Sequence, residues 1–203
     1  MNYTFLKMNY EQTYNLVGNV DIYVIDQILK GRYQSGQSIL DAGCGGGRNL
    51  KWFYQNNFEI TGIDADAQRI KEAKERYPKA SENFTVGKLD QLPYGENSFD
   101  HIFCCAVLHF AQSEEHFKRM FSKIFKVLKP KGTLLIRVAS NIGLDGKKPF
   151  VQDGISKEAG GFYITRKLIS ELLESYLLEL IEPVKTTNVQ DMRAMTTLVF
   201  QKQ

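Results

Sequence analysis

Cysteine is scarce in this chain, with three among 203 residues. Cys44, Cys104 and Cys105 form no CxxC pair and no zinc-like spacing, and an odd number argues against a disulfide framework. A reducing compartment fits them, and no metal site is expected. Long apolar runs are missing too, since none approaches the roughly 20 residues that cross a bilayer. The opening MNYTFLKMNYEQTY lacks the basic-then-apolar order of a signal peptide. The expectation is a cytoplasmic protein with no membrane segment. Nor does one sign of charge dominate, because 26 Lys and Arg against 23 Asp and Glu leave +3. The basic residues are interleaved with acidic ones, as in RIKEAKERYPK, which leaves no stripe to track a phosphate backbone. Nucleic acid is disfavoured as a partner. Internal repeats and low-complexity tracts are also absent.

What remains is an ordinary globular composition, 43% hydrophobic and 24% charged, on a chain of single-domain length. In residues 1–36, Tyr14, Val17, Val20, Tyr23, Val24 and Ile28 recur at near-helical spacing up to Gly31, which predicts a helical N-terminal lid. From Ser38 the segments SILDA, a helix to about Asn56, FEITGID, a helix from about Asp66 to Tyr77, NFTVG and FDHIFCC alternate. That alternation predicts βαβ units and a parallel sheet. Residues 113–128 place Phe117, Met120, Phe121, Ile124, Phe125 and Leu128 on one helical face, with Ser113 as N-cap. Pro130 and Gly132 stop this helix, and GTLLIRV reads as a buried strand. Residues 140–161 have no periodicity and exceed an ordinary connection in length. Thr165 can cap a last helix, after which LLELIEPVKT and AMTTLVFQK flank NVQDMR as an antiparallel hairpin.

The most specific feature is ILDAGCGGGRNLKWF, a strand running into glycines and then a helix. Backbone without Cβ atoms admits a ligand closely, and the helix start offers unpaired N–H groups. A dinucleotide fingerprint would need a sixth-position glycine, where Arg48 or Leu50 stands, and a P-loop would need Gly-Lys followed by Ser or Thr. Neither pattern is met. Ile39 to Arg137 resembles the S-adenosylmethionine (SAM) binding core of class I methyltransferases, in four ordered motifs. GCGxGRN is also similar to the start of the tellurite-resistance methyltransferase branch.

The resemblance implies a three-layer, Rossmann-like α/β fold with a seven-stranded sheet, an antiparallel last hairpin and the N-terminal lid. Asp41 would orient the methionine part of SAM, and Gly43, Cys44, Gly45 and Gly47 would pass beneath it. Asp64, with Ala65 beside it, would bind the ribose hydroxyls, about 20 residues beyond Gly43; it could instead cap the next helix, but Asp66 is equally placed for that. In GKLDQLPY, Asp90 would accept from the adenine amine while Leu89 offers backbone contact. Backbone near Cys105 would meet the methionine amine. Arg48 opposes the helix dipole by about 0.3–1 kcal/mol, which hints at an anionic partner such as the SAM carboxylate, and Asn49 follows it. Tyr14 could close over the methionine end or be a core aromatic.

Methyl transfer from SAM, leaving S-adenosylhomocysteine (SAH), needs mainly alignment, with a base only if the acceptor loses a proton. Cys-Ala-Val-Leu at 105–108 lacks the Asn/Asp-Pro-Pro-aromatic tetrad of enzymes methylating exocyclic amines of nucleobases. Cys105 as a nucleophile lacks its motif's proline, and a strand-end cysteine is more often a small buried hydrophobe. The expected acceptor is a small molecule. His109 could act as a base or be a packed histidine. Tyr163 and Arg193 are further candidates on the acceptor side, near Phe162. The implied organisation is a single domain, with the lid at 1–36, the core at 37–138, an acceptor-side loop at 139–164, and the helix and hairpin at 165–203. A SAM-binding regulator or partner subunit, and an NAD-dependent dehydrogenase, are the alternatives.

Overall fold

The computed structural model describes residues 9–145, 147 and 161–203. Most of the long segment at 140–161, expected to cover the acceptor side, lies outside the described residues. Strands β1 (Ser38–Ala42), β2 (Glu59–Asp64), β3 (Phe84–Val86), β4 (Phe99–Cys105) and β5 (Leu128–Ser140) run parallel in the order β3-β2-β1-β4-β5. β8 (Arg193–Lys202) adds antiparallel to β5, and both β6 (Leu178–Leu180) and β7 (Lys185–Val189) pair antiparallel with β8.

The central strands read as unbroken apolar runs because both faces are covered. Leu40, Ile102, Cys104, Leu134 and Phe200 pack on one face, with α5 (Glu114–Val127) and α6 (Arg166–Ser175). Their neighbours Ile39, Phe103, Cys105, Leu135 and Val199 pack on the other, with α2 (Ile22–Leu29), α3 (Lys51–Gln55) and α4 (Ala67–Arg76). The three layers follow directly from this period-2 alternation. Ser113, Thr165 and Asp66 cap α5, α6 and α4 through their side-chain oxygens.

Two elements depart from expectation. The lid is two helices, α1 (Tyr10–Val17) and α2, because Gly18 ends the first, Asn19 takes a positive φ of 64°, and the Asp21 carboxylate starts the second by accepting from Tyr23 N–H. The expected sixth strand, LLELIEPVKT, is split, giving eight strands among the described residues. Leu180 pairs with Phe200 and Lys185 with Thr197, so the outer strand takes five steps while β8 takes three. Pro183 has no N–H for the ladder. Glu182 turns inward, where it accepts from Gln27 (3.0 Å), Lys30 (2.8 Å), Arg32 (2.6 Å) and Lys185 (2.6 Å). These donors hold its carboxyl far below the ordinary range against the opposing effect of burial.

β1 has β2 on one side and β4 on the other, so connections leave its carboxyl end in both directions. Such a switch point opens a crevice at the ends of the strands.

Candidate cofactor and acceptor cavity

That crevice is a cavity of about 850 Å³, walled by residues 43–46, 48–49, 64–65, 87–90, 105–107, Phe110, Gln112, His116, Arg119 and Met120, with Arg69 at its edge. Gly43 leaves β1 with φ 84°, and a Cβ built on it would lie 2.3 Å from Val107 Cγ2. The turn can therefore pass under residue 107 only as glycine. The Gly43 and Cys44 N–H groups donate to Ile63 O at 2.8 and 3.0 Å, tying the turn to β2.

Asp64, at the end of β2, is fixed by two backbone donors. Gly45 N–H reaches Oδ2 at 2.8 Å and Asp66 N–H reaches Oδ1 at 2.9 Å. Each oxygen keeps acceptor capacity for a further donor. Asp66 takes the cap of α4, which leaves Asp64 its place in the cavity wall.

Asp41 lies beneath the turn, fully buried, and neither carboxylate oxygen has a hydrogen-bond partner among the described residues. Burial pushes its pKa up to about 7; Arg48 and Asn49 oppose the rise, while Asp64 and Asp21 add to it. A buried carboxylate without a partner is costly unless something compensates it.

Arg48 and Asn49 look toward the N-terminal segment as well as the cavity. Arg48 Nη1 donates to Asn19 O at 2.8 Å and Nη2 stands 3.8 Å from Asp21. Asn49 Oδ1 accepts from Asp21 N–H at 3.0 Å. Asp21, nearly buried, also meets Arg137 Nη1 at 3.1 Å. Asp21 and Arg137 were not foreseen as neighbours of the glycine turn; an Asp ahead of IYVI is readable as a cap, but nothing local pairs it with an arginine 116 positions later.

On the far wall Leu89 is buried, and Asp90 Oδ2 stands 3.7 Å from His116 Nε2. The Cys105 thiol is buried and burial pushes it well above the ordinary thiol range, as it also does for Cys44 and Cys104. None of the three is poised as a thiolate nucleophile.

Of the residues singled out in the sequence, Gly43, Cys44, Gly45, Arg48, Asn49, Asp64, Ala65, Leu89, Asp90 and Cys105 share this cavity. Gly47 stands behind it, its carbonyl accepting from the buried Tyr77 hydroxyl at 2.6 Å. Tyr14 is 39% exposed, with Lys51 Nζ 5.0 Å from its ring centre, outside the cavity wall. His109 is buried beside Phe110 and does not line the cavity. Tyr163 lines a separate hollow of about 320 Å³ that shares Gln112 with the main one. Arg193 begins β8 opposite Val189, away from both. Phe110, Gln112, His116 and Arg119 belong to the wall without having been foreseen, because they follow β4 and enter α5, whose burial pattern reports only the opposite face. Among the described residues no cluster of three or more His, Cys, Asp or Glu could hold a metal, and no helix is long and apolar enough to cross a membrane.

Residues 40–136 match the model of the methyltransferase domain family. This region is a class I SAM-dependent methyltransferase domain. An uncharacterized methyltransferase of Synechocystis sp. is 32% identical to this chain over 97 residues, covering 48% of this chain and 44% of that protein. The chain spans less than half the length of the first curated relatives it matches. A SAM-dependent methyltransferase structure from Methanosarcina mazei superposes with TM-score 0.67 at 22% identity, covering 86% of this chain and 96% of that one. The 1,6-didemethyltoxoflavin-N1-methyltransferase of Burkholderia thailandensis, solved with 1,6-didemethyltoxoflavin and SAH, superposes with TM-score 0.64 at 20% identity, covering 88% and 75%. At these identities the two structures establish the shared fold.

Proposed function

We propose that this chain transfers the methyl group of SAM to a small-molecule acceptor. The observation that carries the reading is one cavity in which the glycine turn, Asp64 and Asp90 converge, with the buried Asp41 just ahead of that turn and outside the wall. The donor set fits SAM. Asp64 has acceptor capacity on both oxygens for ribose hydroxyls, Asp90 can accept from an exocyclic amine, and Asp41 supplies negative charge beneath a ligand carrying a sulfonium and an ammonium. When bound, SAM supplies a methyl group already activated by the sulfonium charge.

The chain's own part is to align and to exclude water. The turn at 43–47 and Asp64 would hold the nucleoside, Arg48 would reach the carboxylate of the methionine portion, and the backbone at 105–107 would border the reacting end. Phe110 is 56% exposed in the wall and stands near Val107. This ring gives the wall an apolar contact of the kind that suits a small organic acceptor. The 1,6-didemethyltoxoflavin bound in the Burkholderia structure is a small organic molecule and supports the same reading. The single-domain division made from the sequence, with 1–36 as lid and 165–203 as closing helix and hairpin, is part of this proposal. The family match removes the grounds for an NAD-dependent dehydrogenase.

The test is incubation with SAM and a panel of small nucleophiles. Acceptor-dependent accumulation of SAH is the expected result. SAM binding without SAH formation across the panel would instead identify a SAM-binding regulator or partner subunit.

A further inference from the structure

His116 and Asp90 form a donor and acceptor pair in the cavity wall that the SAM reading does not by itself require. His116 sits in the first turn of α5, its own N–H donating to the Ser113 cap at 3.2 Å. Its Nδ1 accepts from the Gln112 N–H at 3.3 Å. Because that partner can only donate, Nδ1 carries no proton, and the ring proton of the neutral imidazole is assigned to Nε2. Nε2 stands 3.7 Å from Asp90 Oδ2, both side chains being 22% exposed. At that separation the two attract electrostatically but make no hydrogen bond to each other. Neither atom has another hydrogen-bond partner among the described residues.

We infer that His116 is a second recognition residue for the nucleobase of the ligand. Its Nε2–H donates to a purine ring nitrogen while Asp90 Oδ2 accepts from the neighbouring exocyclic amine. Adenine offers this combination, an amine donor beside a ring-nitrogen acceptor. The Gln112 and Ser113 contacts hold the imidazole ready, so little ordering remains for binding. This inference rests on the SAM reading of the cavity and adds to it the residue that reads the ring nitrogen. A purely structural role predicts something different, since an isolated, partly exposed pair contributes little and would affect every ligand alike.

The experiment is calorimetric titration of the full chain with SAH and with its 1-deaza and 7-deaza analogues, on wild type, His116→Leu and Asp90→Asn. Wild type should bind SAH and should bind one of the two deaza analogues about tenfold more weakly. His116→Leu should weaken SAH binding by a similar factor and should no longer separate that analogue from SAH, whereas Asp90→Asn should still separate them. Wild type binding all three ligands alike would overturn the inference without any variant. So would a His116→Leu protein that loses the same factor for all three, or none. Failure of wild type to bind SAH at all would defeat the SAM reading itself, a distinguishable result.

Discussion

Gly43→Ala and Gly45→Ala separate what the glycine turn does for the fold from what it does for the ligand. At Gly43 an added methyl would take a φ of 84° and stand 2.3 and 2.8 Å from the two γ-carbons of Val107. The left-handed backbone costs roughly 1–2 kcal/mol for a residue with a side chain, and overpacking a tight site about 1–3 more, so the variant should lose about 2–5 kcal/mol. Val107→Ala removes both clashing atoms. In the double variant most of the overpacking should go, only the residue 107 Cβ staying close at 3.0 Å, while the backbone part remains, a coupling of at least about 1 kcal/mol in a double-mutant cycle. At Gly45 the φ is 51° and no protein atom lies within 4 Å of a built Cβ. Its alanine should cost only about 1–2 kcal/mol of stability yet weaken SAM roughly tenfold, because the methyl joins the cavity wall. Urea unfolding with unchanged m-values reads the stabilities and calorimetry reads the affinity. A Gly43→Ala protein within about 0.5 kcal/mol of wild type, or Gly45→Ala with unaltered SAM affinity, would refute this division.

Two further outcomes follow from the buried charges. Asp41 is raised from 3.8 to about 7, so the folded state prefers its protonated form; measured relative to Asp41→Asn, wild-type stability should fall as pH rises between about 4 and 7 and level off above, as read by urea titrations of both proteins at pH 5 and pH 8. Reverse slopes come from His101, which burial lowers to about 4, within the same window, and from carboxylates such as Asp100, held down at about 2 by Lys129 and Ser38 against the opposing effect of burial, at lower pH; both are common to the two proteins and cancel in the difference. Glu182→Ala should destabilise toward the low end of the roughly 3–5 kcal/mol seen on breaking a buried pair, since its cationic partners are 26–38% exposed. Loss below about 0.5 kcal/mol would make the cluster incidental.

The parts of this molecule legible in its sequence are those set by local pattern. The glycine turn, the alternating strands of the core, and the caps Asp66, Ser113 and Thr165 each carry their cause within a few residues. Asp64 follows from the family resemblance and its spacing from the turn, Asp90 from the resemblance of GKLDQLPY alone, and both line the cavity. What was hidden depends on distant partners. The interruption between β6 and β7 follows from Glu182 turning toward Lys30 and Arg32, about 150 positions earlier. The break between α1 and α2 is stabilised by Asn49 and Arg137 gripping Asp21. His116 lies on a helix whose apolar pattern marks only the face packed on the sheet, and its place in the cavity wall depends on how α5 packs against residues 89–91, which follow β3.

Asp64 is the side chain on which SAM binding in this cavity most depends. Calorimetric titration of SAM into wild type and Asp64→Ala, with circular dichroism to show that both are folded, should give one site per chain. The substitution should weaken affinity at least about tenfold, because it leaves two ligand hydroxyls without their acceptor. A folded Asp64→Ala protein that binds SAM as tightly as wild type would contradict the account.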